Sequence, residues 1–84
     1  MITLLSRSGC DACARARADL EPLVAEFTAG FEEVDVDAVA GNDPSLRAEF
    51  GDRLPVILLD GREHSYWDVD IPRLRADLNK AAGQ

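Results

Sequence analysis

The chain has 84 residues, 46 % of them hydrophobic and 30 % charged. That length admits a single domain, residues 1–84, with one modest core, and the balance is globular, not disordered. Sixteen acids against nine bases leave a net charge of −7, which repels phosphate backbones and anionic lipid, so no nucleic acid and no membrane surface is expected as a partner. No run approaches the roughly 18 apolar residues of a membrane span. The amino end, Met1 to Arg7, lacks the basic region and cleavage pattern of a secretory leader, so a cytoplasmic protein is expected.

Ile2 to Ser6 is a short apolar run stopped by Ser8 and Gly9, and reads as a buried strand. From Asp11 the composition switches to helix formers, with Ala16, Leu20, Leu23, Val24 and Phe27 on one face and Gly30 ending the unit. Pro22 inside this stretch predicts a kink or a break near residues 18–22, because its ring clashes with the Ala18 carbonyl and it has no N–H to donate. Phe31 to Asp37 alternates and reads as a second strand. Asp43 is the expected N-cap of a short helix with Pro44 in its first turn, Leu46 and Phe50 on one face and Gly51 at its end. Val56 to Asp60 predicts a third strand, Asp60-Gly61 a tight hairpin, and Glu63 to Trp67 the returning strand. Asp70 caps a last helix carrying Ile71, Leu74 and Leu78, with Pro72 in its first turn. The resulting order, βαβαββα, calls for a four-stranded mixed sheet of the α/β class with helices on both faces.

The two cysteines, Cys10 and Cys13, close far too short a loop to staple a fold. Cys10 lies where the first helix begins, so its sulfur faces unpaired N–H groups at the positive end of the helix dipole. Both effects favour the thiolate, the attacking species in thiol–disulfide exchange. Cys13 is one turn further on the same face, placed to attack a mixed disulfide on Cys10. A zinc site would need more ligands than one His and no further Cys supply, and no metal is expected. Cys10 is the candidate nucleophile and Cys13 the candidate resolving residue.

On these residues the chain resembles the glutaredoxin branch of the thioredoxin-fold superfamily, and more closely its small glutaredoxin-like members. The resemblance covers nearly the whole chain. It rests on Ser6-Arg7-Ser8-Gly9-Cys10-Asp11-Ala12-Cys13 after the opening strand, on Arg53-Leu54-Pro55-Val56, and on the closing hairpin and helix. It implies that Arg7 aids the thiolate and contacts a thiol ligand. It also implies that the Leu54-Pro55 bond is cis, with Leu54 offering its backbone to substrate, and that Asp70 holds a ligand amine. Two departures stand out. Asp11 and Ala12 replace the usual Pro-Tyr between the cysteines, and Tyr66 and Trp67 stand where the family has a Gly-Gly that lets glutathione approach the backbone. The expected co-substrate is therefore glutathione or another low-molecular-weight thiol such as mycothiol, with direct exchange with a protein disulfide as the alternative.

Outside this constellation, His64 is expected to be a solvated strand residue, and Trp67 reads either as lining the groove beside Pro55 or, by a small margin, as packing against the last helix. Arg53 reads equally as a ligand contact and as a surface residue, and the scattered aspartates read as solvated caps and loops. The function expected is that of a monomeric dithiol oxidoreductase acting on protein or mixed disulfides, without a bound cofactor. The competing expectations are a non-catalytic binding module on the same fold and an iron–sulfur carrier using Cys10.

Overall fold

A computed structural model describes residues 1–82 of the chain. Its elements are β1 (Ile2–Ser6), α1 (Asp11–Phe27), β2 (Phe31–Asp35), α2 (Pro44–Phe50), β3 (Val56–Leu59), β4 (Arg62–Tyr66) and α3 (Ile71–Ala82). They form one four-stranded sheet in the order β2-β1-β3-β4. β1 runs parallel to β2 and antiparallel to β3, and β3 and β4 are antiparallel. The mixed sheet and element order are those the pattern of the chain called for.

β1 is the sheet's inner strand and is buried along its whole length. Alternate residues serve two cores. Ile2 and Leu4, with Ile57 of β3, pack against Ala16, Leu20 and Leu23 of α1 and Leu74 and Leu78 of α3. Leu5 and Val56 face the other way, onto Val36 and onto Phe50 of α2. β2 lies at an edge, where the largely exposed Glu32 and Glu33 discourage further strand pairing.

Four local expectations are corrected. Pro22 neither kinks nor breaks the chain into two segments: α1 is a single helix with Pro22 on its exposed side. An interior proline costs about 3 kcal/mol, whereas each fully buried Leu on the opposite face contributes about 1.5–3 kcal/mol, and Leu20 and Leu23 are both buried. The helix ends at Thr28, not at Gly30. Thr28 adopts the left-handed conformation usual at such ends (φ 50°), and the Ala29 N–H reaches back to the Val24 carbonyl. β2 stops at Asp35, because that carboxylate accepts the N–H groups of Asp37 and Ala38 and turns the chain. Asp43 precedes α2 without capping it through its side chain, accepting the Ser45 hydroxyl instead.

The Asp60-Gly61 hairpin forms as expected, both residues having positive φ (52° and 83°), as a type I′ turn requires. A bulge in β4 interrupts the register between Ile57, opposite Ser65, and Leu58, opposite Glu63. His64 is the extra residue and is re-aimed by the bulge. It is therefore not a solvated strand residue. Its ring, 5 % exposed, sits 2.8 Å from Asp77 of α3 through Nε2, and Arg73 donates to its backbone carbonyl. Strand alternation read from the sequence carries no signal of that extra residue.

Candidate functional site

The register places one set of segments at a single end of the sheet. Leu5, next to the end of β1, lies opposite Val56 at the start of β3, and Val56 lies opposite Tyr66 at the end of β4. The chain leaving β1 at this end turns through Gly9, whose φ of 76° a β-carbon would resist, and enters α1 at Cys10. Leu54-Pro55 precedes β3 there, and Trp67 follows β4.

Cys10 is the N-cap of α1. Its Sγ accepts the Cys13 N–H at 3.1 Å, one of the donors the first turn leaves without a helical partner. The two sulfurs are at disulfide distance and are bonded, with Cα atoms 5.2 Å apart. Cys10 is half-buried at the mouth of the site, whereas Cys13 is 1 % exposed against the sheet. The pair thus has one accessible and one sheltered sulfur. Asp11 is exposed beside Cys10.

The Leu54-Pro55 bond is cis. Pro55 is buried, its carbonyl accepts the Trp67 N–H at 2.7 Å, and Leu54 is half-buried against the Leu5, Val36, Phe50 and Val56 cluster. Arg7 is at this end too, but its guanidinium is engaged. Nε and one terminal nitrogen bind the two carboxylate oxygens of Asp37 at 2.8 and 3.1 Å, and the other reaches the Gly51 carbonyl at 3.4 Å. The Asp37 carboxylate holds the Arg7 pKa above its ordinary value. Asp37 carries no sequence signal of this role, because it falls in an alternating stretch that reads as strand. Asp70 acts on its own helix: its carboxylate accepts the Arg73 N–H at 3.2 Å and pairs with the Arg73 guanidinium. Arg53 spans Glu63, the Glu49 carbonyl and the face of Phe50, which raises its pKa chiefly through Glu63.

Two clefts open on this end. One, about 490 Å³, runs past Cys10 between α1 and β2 and is lined by Arg7, Ser8, Asp11, Arg17, Glu33 and Asp35. Arg17 grips Glu33 with two of its guanidinium nitrogens, and the Ser6 hydroxyl adds a third bond, so the Glu33 pKa lies below the usual carboxylate range. Asp35 is likewise lowered, first by the Ala38 N–H, then by Asp37 and Ser8. The other cleft, about 550 Å³, lies between β4 and the start of α3, lined by Tyr66, Asp68, Asp70 and Arg73 among others. Trp67 does not pack against α3. Its side chain is 59 % exposed, its φ is 68°, and its ring meets that of Tyr66 edge-on with centroids 5.0 Å apart. No group of three or more His, Cys, Asp or Glu among the described residues is arranged to hold a metal ion.

A family model described as a glutaredoxin-like domain (DUF836) matches residues 1–79. Uncharacterized protein Rv0508 of Mycobacterium tuberculosis is 53 % identical over 81 residues, spanning 95 % of this chain and 84 % of that protein, and uncharacterized protein Mb0520 of Mycobacterium bovis matches to the same extent. Among solved structures, structural-genomics target XcR50 from X. campestris superposes with a TM-score of 0.67 at 36 % identity, covering 95 % of this chain and 97 % of that one. A buckwheat glutaredoxin in complex with glutathione superposes at 0.56 and 17 % identity, over 92 % of this chain and 70 % of that one, a likeness of fold. With its mixed sheet, its Cys10–Cys13 pair at the head of α1 and this match along almost its whole length, the chain belongs to the glutaredoxin-like (DUF836) family of thioredoxin-fold proteins.

Proposed function

We propose that the protein is a dithiol thiol–disulfide oxidoreductase that reduces protein or mixed disulfides as a single cytoplasmic domain. The observation that carries this reading is the bonded sulfur pair across the first turn of α1, with Cys10 at the N-cap and Cys13 sheltered behind it. In the reduced protein the Cys10 thiolate attacks one sulfur of a substrate disulfide. A Cys10–substrate disulfide forms, and the other substrate sulfur leaves as a thiolate that takes up a proton. Cys13 then gives up its proton and attacks Cys10 Sγ, forming the Cys10–Cys13 bond and expelling the second substrate thiolate. Two electrons pass from the pair to the substrate. Two equivalents of a low-molecular-weight thiol, glutathione or mycothiol, or a reductase return them. The N–H that Cys13 directs at Cys10 Sγ favours negative charge on that sulfur, both as attacking thiolate and as leaving group.

Leu54 and Pro55, at the same end of the sheet as the pair, offer substrate a backbone edge, while Arg7 and Asp70 take part only by loosening their present bonds to Asp37 and Arg73. Turnover of a neutral mixed disulfide, measured side by side with glutathione, mycothiol and a thioredoxin-type reductase as donor, tests the reading. Cys10→Ser should abolish turnover, and Cys13→Ser should trap a mixed disulfide visible by mass. Absence of turnover with every donor, together with Cys10 alkylation no faster than that of a free cysteine, would overturn it.

A further inference from the structure

Trp67 is large, apolar and 59 % exposed, and it occupies a left-handed backbone conformation (φ 68°) that a bulky side chain rarely adopts. A residue with neither a packing role nor a comfortable backbone points to a use outside the fold. Its main chain is fixed by the 2.7 Å bond to the Pro55 carbonyl, and its ring is braced edge-on by Tyr66, itself 48 % exposed. The result is a rigid aromatic platform at the sheet end that also carries Cys10 and Cys13. The charges beside the ring favour a cation. Arg53 is held by Glu63 and Arg73 by Asp70, while Asp68 beside Trp67 pairs with no basic group among the described residues; at Cys10, Asp11 likewise has no ion-pair partner, and Arg15 one turn further along α1 has none either.

We propose that Tyr66 and Trp67, with Asp11 and Asp68, dock a polypeptide whose reactive cysteine is flanked by Arg or Lys. The cationic side chain lies over the Trp67 ring and against the Asp68 carboxylate. This rests on the oxidoreductase reading and names its substrate class: cationic protein disulfides are favoured, and the anionic disulfide of a small thiol is disfavoured by the same two carboxylates and by the overall charge of −7.

Trp67 is the chain's one tryptophan, so its fluorescence reports docking without any chemistry. In a Cys10→Ser, Cys13→Ser double variant, two disulfide-linked peptide dimers are titrated, identical except for arginine or glutamate on either side of the cysteine, with glutathione disulfide as a third probe. The arginine dimer should saturate the signal with a Kd about tenfold below that of the glutamate dimer, and both Asp68→Asn and about 0.5 M salt should shrink that ratio. Equal affinities for the two dimers, or no saturable response to the arginine dimer, would overturn the docking role. In the wild type, equal kcat/KM for the two dimers would overturn the docking role and leave the oxidoreductase reading standing. Selective binding with no turnover of any disulfide would do the reverse.

Discussion

At the scale of single residues, the molecule separates two uses of polar and aromatic side chains. Arg7, which lines the cleft beside Cys10, Arg53 and Asp70 are each engaged within the protein, Arg7 by Asp37, Arg53 by Glu63 and Asp70 by the first turn of α3. Trp67 is the opposite case: strained in backbone and free in side chain. Glycine at that position should relieve the left-handed strain and sacrifice little packing, so Trp67→Gly is expected to leave stability unchanged or raise it by about 1 kcal/mol. Urea unfolding checks this, since a Trp bound into the core would instead cost about 3–5 kcal/mol on removal. Spacing alone located the cysteines. The partner of Arg7 and the exposure of Trp67 depend on where a strand ends and which way a turn points, and no local pattern in the sequence encodes either.

Between elements, the clamp from α1 to β2 is the Arg17–Glu33 pair with the Ser6 hydroxyl, facing the cleft beside Cys10. Those bonds lower the Glu33 pKa relative to the unfolded chain, so the folded state loses stability when the group is protonated. The contribution is complete above the ordinary glutamate value of about 4.3 and disappears as pH falls below it through the depressed folded value. Thermal unfolding followed from pH 6 to about 2 should therefore fall less steeply in Glu33→Gln than in the wild type. Parallel curves for the two proteins would mean that the clamp adds nothing. Element boundaries were legible wherever residues signal them directly, as at Asp60-Gly61 and Pro44. They were misread at Pro22, where buried leucines outweigh a local proline penalty, and at His64, where the bulge adds a residue to one strand only.

For the molecule as a whole, stability rests on two thin cores either side of β1, of which the α1–α3 side is the larger. Leu20 lies fully buried in that larger core. Its truncation in Leu20→Ala should cost about 2–5 kcal/mol. Against a total of about 5–12 kcal/mol for a domain of this size, that predicts a sharply lowered melting temperature by circular dichroism. Leu46→Ala, at a half-buried position of α2 packed against the smaller core, should cost less. A reversed order would mean that the α2 side carries the fold.

Element order, the mixed sheet and the cysteine pair at the head of α1 were all readable from one chain, because strand alternation, helical spacing, turn residues and a Cys-x-x-Cys at a helix start are local patterns with local physical causes. The gathering of Cys10, Pro55 and Trp67 at one sheet end follows from strand register, a relation between residues far apart in sequence. The engagement of Arg7 by Asp37 and the outward setting of Trp67 follow likewise from tertiary packing. Long-range pairing and burial decide these, because their energies depend on which surfaces meet and no single segment holds that information.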